Sequence, residues 1–330
     1  MIRVAVDAMG GDRAPDEIVA GAAEARSDQI EPILVGPPGL AAHGLDVVEA
    51  PDVIAMDEKP ADAVRTKPQS SLVVACSLVG EGRADAVVSA GNTGAMLAAG
   101  LMEIRRAKGV IRPAIAVVIP SQRGPSVLID AGATADARPE QLLQFAHMGA
   151  VFAHEVLGVA DPAVRLLSIG EEAEKGNELT LEAHDLLRAS ELNFQGNAES
   201  RELLHGAADV IVTDGFTGNV ALKLLEGTIK TLLDALRTEI GSTARGKLGG
   251  LLIRPAARAL RSRLDPDTYG GAYLLGLRGL VVIAHGNSSR RAIANAIRYA
   301  AVGVDHRVVE TVSQRMVGSA RSKVPQSQVR

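Results

Sequence analysis

The chain has 330 residues, a formal net charge of -4, one cysteine, no tryptophan and only 2% aromatic residues. A core of that size has to come from Ala, Val, Leu and Ile, which suits helices on a buried parallel sheet, and the lone Cys76 excludes an internal disulfide framework. The longest uncharged stretch, Ala86–Met102, is interrupted by Gly91, Asn92, Thr93 and Gly94, which excludes a membrane span of about 20 apolar residues there.

From the N-terminus, "IRVAVD" reads as a strand running straight into the turn "VDAMGGD". No basic segment, long apolar stretch and cleavage site open the chain, so a soluble cytoplasmic protein is expected. A helix over Asp16–Arg26 follows, then the strand "PILVG", a helix over Gln69–Glu81, the strand "DAVVSA" and a helix over Gly94–Lys108. The middle supplies the strands "AIAVVIP" and "SVLIDA", a helix over Pro139–Leu157, the strand "VRLLSI" and a helix over Leu179–Ala189. The strand "DVIVTD", a helix over Asn219–Ile240, the strand "LVVIAHG" and a helix over Ser289–Val302 complete the series. Such alternation is the signature of βαβ units and a mostly parallel sheet. With no repeat and no long linker, one domain over residues 1–318 is expected, with a flexible tail over 319–330.

Charge is unevenly spread. From residue 241 onward there are 15 Lys and Arg against 4 Asp and Glu, whereas the first 240 residues hold 20 against 35. The basic end is either a solvated face or a surface for something acidic. Residues 239–267 carry much of it and break the βα rhythm. Arg254, Arg258 and Arg261 recur at i, i+4 and i+7, Arg263 follows, and Leu251 and Leu252 stand beside glycines. The segment reads as a basic amphipathic protrusion able to dimerise or touch anionic lipid, or as an ordinary surface hairpin. Pro255 and the glycines argue against one continuous helix.

The chemistry gathers in turns. "VDAMGGD" (6–12), "SAGNTGA" (89–95), "DAGATAD" (130–136), "SIGEEAEKGNE" (168–178), "TDGFTGN" (213–219) and "AHGNSS" (284–289) each follow an apolar run and carry glycine with Asp, Asn, Thr, Glu or Ser. In a parallel sheet the residues after every strand leave from one edge, so these turns are expected to converge on a single cleft. Glycine lets backbone approach a ligand, and helix N-termini favour anions.

Motif tests narrow the reaction. There is no G-x-x-x-x-G-K-S/T phosphate loop, no G-x-G-x-x-G after the first strand, no H-E-x-x-H or paired C-x-x-C for zinc, and no G-x-S-x-G for a serine nucleophile. His147 and His154 are two turns apart and read as packing or surface residues. Cys76, in "SSLVVACSLVG", reads as a buried inert thiol. A chain with no evident nucleophile but many anion-suited turns fits a reaction in which phosphate itself attacks an electrophilic carbon. Lys175 offers a cation, and Asn92, Asn177 and Asn219 are either amide donors or turn formers.

"VDAMGGD", "ADAVVSAGNTGA", "GEEAEKGNE", "DVIVTDGFTGNV" and "GLVVIAHGNSS", in this order, resemble the bacterial phosphate acyltransferase (PlsX) family from Val4 to about Val302. The resemblance implies an α/β/α sandwich like those of phosphotransacetylase and isopropylmalate dehydrogenase, dimeric, with a helical projection. It implies transfer of a long-chain acyl group from acyl carrier protein to inorganic phosphate, ahead of a glycerol-3-phosphate acyltransferase in phosphatidic acid synthesis. It implies no cofactor or metal, and a cytosolic enzyme lying peripherally on the inner face of the membrane.

On this reading Gly10–Gly11, Asn92–Thr93–Gly94 and Lys175 hold phosphate, and Asn177 and Gly215 belong to the same site. Lys175 and Asn219 stabilise the oxyanion, with the Gly218 amide as a helper, a contribution of about 3–4 kcal/mol per donor in well-studied cases. Asp7, Asp12 and Asp214 position donors. His285 steers the leaving thiolate or simply ends a strand. Arg254, Arg258, Arg261 and Arg263, with Leu251 and Leu252, meet the acidic carrier protein or the membrane. The chain departs from the family pattern at "DAGAT" (130–134), where Thr134 stands for a usual Asn, and around Glu199 and Ser200. Competing readings are a phosphotransacylase using acyl-CoA, an oxidoreductase on the related dehydrogenase fold and a non-catalytic lipid-responsive binding protein. Few aromatics and no recognised motif argue against nucleic acid.

Overall fold

The computed structural model describes residues 1–264 and 268–322. The first strand, β1 (Ile2–Asp7), shows how the sheet is built: Val4 and Val6 point to one face and Ala5 to the other, and all three are fully buried. Such a strand needs helices on both sides, so it reads as a continuous apolar run. The other strands are β2 (Ile30–Gly36), β3 (Asp46–Glu49), β4 (Ala86–Ser89), β5 (Ala114–Ser121), β6 (Gly124–Ile129), β7 (Val164–Ser168), β8 (Phe194–Glu199), β9 (Val210–Val212), β10 (Ala272–Leu275) and β11 (Leu280–Ile283). They form one sheet in the order β3-β2-β1-β4-β11-β10-β5-β6-β9-β7-β8.

Helices α1 (Asp16–Ala25), α5 (Pro139–Leu157), α6 (Glu178–Arg188), α9 (Arg290–Asp305) and α10 (Val308–Ser322) cover the face of Val4 and Val6. Helices α2 (Pro60–Thr66), α3 (Ser71–Gly80) and α4 (Thr93–Ala99) cover the face of Ala5, together with the first turns of α7 (Gly215–Gly241). This is the expected three-layer sandwich. The expected helix over Gly94–Lys108 is shorter: after α4 the chain widens into a π-helical turn at Gly100–Ile104, and Arg105 ends it at a φ of 68°. The sequence reading did not find β3, β8, β10, α2 or α10. Residues 323–330, most of the expected tail, lie outside the described residues.

The β5–β6 hairpin decides the topology. β10 runs antiparallel to both β11 and β5, so β5 points the same way as β11, and β6, antiparallel to β5, reverses the direction. Strands β1, β2, β3, β4 and β11 therefore point one way, and β6, β9, β7 and β8 the other. The expectation that all six glycine turns leave one edge is thus corrected: three leave each edge. They still meet. Cross-strand partners run unbroken from Val6 through Val88, Val282, Tyr273, Ala116, Ile129 and Val212 to Leu166. Val6, Val88 and Val282 are the last but one residues of their strands, and Ile129 and Val212 are the last of theirs. The carboxyl ends of both opposed groups consequently lie along one line across the sheet.

The protrusion is longer and simpler than expected. α7 runs 27 residues, about 40 Å at 1.5 Å per residue, and packs against α8 (Ala244–Leu264), which continues through Pro255 as one helix. Pro255 removes only the bond to the Leu251 carbonyl, and this arm is exposed enough for water to take that place. The glycines serve the crossing of the two helices: a Cβ on Gly250 would sit 2.7 Å from Ile240 Cγ2, and one on Gly246 would strike the Ile240 carbonyl.

Candidate active site

On the first edge, the turns after β1, β4 and β11 close on one another. Asp7 is 1% exposed; its carboxylate accepts the Ser89 hydroxyl at 2.6 Å and the Met9 N–H at 3.2 Å. Burial pushes Asp7 above the usual carboxylate range, against hydrogen bonds from Ser71, Ser89 and Met9. Gly10 is pressed against this cluster, since a Cβ there would lie 2.8 Å from Gly91 N and 2.9 Å from Ser89 Oγ. Gly11, at a φ of 105°, packs against the Gly286 carbonyl, which also accepts the Asp12 N–H at 2.7 Å. Asn92 caps α4 by accepting the Ala95 N–H, and its NH₂ donates to the Met56 and Glu58 carbonyls.

Several expected roles change accordingly. Asp7 and the Asn92 amide are not placed to touch substrate, because one is buried and the other is fully used. The N–H groups of Met9, Gly10 and Asp12 are spent inside the turn, on the Asp7 carboxylate, the Asp7 carbonyl and the Gly286 carbonyl. The two glycines serve first to dock three turns together. Gly94 packs against the Pro60 ring. Thr93 is exposed with a free hydroxyl among the described residues, and the Gly11 N–H likewise has no acceptor there.

On the second edge, Asp130 is the organiser. Its carboxylate accepts N–H groups from Ile115, Gly132, Ala133 and Thr134 at 2.7–3.1 Å. Burial raises its affinity for a proton, opposed by those four donors. Thr134 contributes its backbone: its N–H binds Asp130 and its carbonyl accepts the Gly215 N–H. Asp214 caps α7 by accepting the Thr217 N–H at 2.9 Å. Gly215 and Gly218 lie so close to Asp130 and Thr134 that any side chain would collide. The Gly218 N–H bonds the Asp214 carbonyl at 2.9 Å, so it is not the expected oxyanion helper. Asn219 is exposed beside Gly132, its amide without a partner among the described residues.

Lys175 lies in the loop after β7, whose strand neighbours β9 at about 5 Å. The loop is pinned through the Lys175 carbonyl, which accepts the Ser168 hydroxyl at 2.8 Å, and through the Glu172 carbonyl, which accepts from Asn197. The exposed Lys175 ammonium makes no ion pair among the described residues. Asn177 caps α6 by accepting the Thr180 N–H.

α7 ties the edges together. It starts at the end of β9, and Glu226, about 16 Å along it, lies 3.8 Å from His285 Nε2 in the turn after β11. The same carboxylate oxygen is 2.9 Å from Lys223 Nζ. Burial pushes Glu226 up, but His285 and Lys223 together hold it below the usual range. Ser89, Asp130, Lys223 and Glu226 were not singled out by sequence; their only signal is membership of the turn and α7 blocks.

Cys76 is fully buried against Met96, and burial pushes its thiol up, as an inert core residue requires. Among the described residues no three His, Cys, Asp or Glu side chains gather to hold a metal ion, and no helix is long and apolar enough to cross a membrane.

The Fatty acid synthesis protein family matches residues 2–311. A phosphate acyltransferase of Heliobacterium modesticaldum is 48% identical over 96% of this chain and 98% of its own length. The chain belongs to the phosphate acyltransferase family. A second relative of that name, from Thermosynechococcus vestitus, is 48% identical over 94% of both chains. The fold matches the EutD phosphotransacetylase of Staphylococcus aureus with a TM-score of 0.60 at 17% identity, over 92% of this chain and 94% of that one. A phosphotransacetylase of Streptococcus pyogenes matches at 0.61 and 15%, over 94% of both. Membership makes the chain an enzyme, an acyltransferase of lipid synthesis.

Proposed function

We propose that the enzyme transfers a long-chain acyl group from acyl carrier protein to inorganic phosphate, releasing acyl phosphate and the carrier thiol. The observation that carries this reading is the unbroken register across the sheet. It sets the ends of β1, β4 and β11 in line with those of β6 and β9, which supports a site shared by the Gly11 N–H and Thr93 hydroxyl from one edge, the Asn219 amide from the other and the Lys175 ammonium from the loop after the neighbouring β7. With Cys76 buried, no thiol of this chain is accessible for attack. A phosphate dianion needs no enzymic base; it needs to be held against the thioester carbon while donors meet the developing oxyanion. In this reading His285, half exposed beside Glu226, meets the departing sulfur.

The remaining expectations go with this reading. Residues 1–318 act as one catalytic unit, working without metal or organic cofactor. The exposed Arg254, Arg258, Arg261 and Arg263 attract the acidic carrier protein. Leu248, Leu251 and Leu252, 62–77% exposed on the distal half of the arm, serve contact with a second copy or with the inner face of the membrane. The acyl phosphate passes to a glycerol-3-phosphate acyltransferase. Thiol release from acyl carrier protein and from acyl-CoA, each with and without phosphate, tests the reading. Phosphate-dependent release from the carrier thioester is expected. Preference for acyl-CoA would make the enzyme a phosphotransacylase, and release indifferent to phosphate would remove the proposal.

A further inference from the structure

The site as described has an electrostatic gap. Phosphate brings two negative charges, yet Asp12, Asp214 and Glu226 all stand at the turns that would surround it, and Lys175 approaches from the β7 side alone. A second cation is already present on α7. Lys223 lies four residues beyond Asn219, and Glu226 three beyond that, so the three side chains share one helix flank beside the buried Leu222. That flank crosses from the β9 turn to the β11 turn. There Glu226 meets His285, whose neighbour Gly286 carries the turn of Gly11 and Asp12. Lys223 Nζ is held by the Glu226 carboxylate at 2.9 Å, with its side chain 53% exposed. It is thus tethered at the crossing between the edges, within one turn of the unpaired Asn219 amide.

We propose that Lys223 is a phosphate-binding residue of this enzyme, held over the cleft by Glu226 and transferred to the incoming anion when phosphate binds. Glu226 is a positioning residue: it holds the ammonium when the site is empty and keeps His285 as its partner when the site is filled. No covalent step is involved, and the exchange of ion-pair partners leaves charge balanced. The proposal rests on phosphate being a substrate, as set out above.

The test combines two measurements on the full chain. Thiol release at varied phosphate gives separate KM values for phosphate and thioester, and calorimetric titration with sodium phosphate alone reads the anion without turnover. Lys223→Ala is expected to weaken phosphate about 10- to 100-fold in both, the loss of one charge-assisted hydrogen bond. The thioester KM stays near wild type, and Lys223→Arg recovers part of the loss. Lys223→Met keeps the packing of the stem should the alanine variant fold poorly. A phosphate KM and affinity within twofold of wild type in a folded variant overturns the proposal while leaving the reaction assignment standing. If the wild-type chain neither binds phosphate nor depends on it, the reaction assignment is what fails.

Discussion

At the scale of single residues, the structure separates groups that build the site from groups left free to act in it. Asp7, Asn92, Asp130 and Asp214 spend their side chains on backbone or neighbouring hydroxyls, whereas Lys175 and Asn219 do not. Lys175→Ala and Asn219→Ala should each lower turnover about 10²- to 10³-fold with the thermal midpoint within about 2 °C of wild type, since both side chains are exposed; turnover and calorimetry on the same samples check this. Asp7 predicts a pH effect. Its folded-state proton affinity is raised by burial, so between the unfolded carboxylate value near 4 and the folded one the native chain holds a proton that the unfolded chain has lost. Stability contributed by Asp7 is therefore present below that window and declines as pH rises through it. Asp7→Asn should remove this slope, seen as a wild-type minus variant difference in chemical denaturation across pH. The sequence could point to Asp7, Asn92, Asp214, Lys175 and Asn219 because they sit in glycine turns. It could not show which carboxylates face inward, because that depends on partners such as Ser89, 82 positions away.

At the scale of elements, glycine positions divide by what they touch. Gly218 lies against the Asp130 carbonyl and Gly10 against Gly91 and Ser89, so an alanine at either has to displace backbone. Gly39, at a φ of 82° with open space around it, carries only a conformational demand. Gly218→Ala and Gly10→Ala should cost about 3 kcal/mol or more, and Gly39→Ala about 1–2 kcal/mol, measured by urea denaturation. Most helices were legible because their apolar period is strong; α5 was expected over Pro139–Leu157 and is found there. α8 was misjudged because Pro255 and the glycines, read locally, are breakers. Exposure of the arm around Leu251 and the close crossing at Ile240 make them compatible with a helix, and neither is visible without α7.

At the scale of the whole molecule, the sandwich was legible from the alternation of strands and helices, but the reversal of strand direction was not. It depends on the antiparallel pairing of β5 with β6, two strands expected singly but not as a pair; β10, four residues of "AYLL" antiparallel to both neighbours, leaves β5 pointing the same way as β11. The separation of charge has a consequence at the same scale. If the arm arginines steer an acidic carrier, charge reversal at Arg254, Arg258 and Arg261 should lower its association rate about tenfold at low salt and remove most of the salt dependence. Liposome sedimentation of the same variant shows whether membrane contact shares those residues. In the proposed reaction, two opposed sheet edges share one phosphate. The most direct measurement of this is a crystal structure of the enzyme soaked in sodium phosphate. An anion bridging the turn around Gly11 or Thr93 to Asn219, Lys223 or Lys175 is expected. An anion confined to one edge, or bound away from the line where the two edges meet, would contradict a shared phosphate.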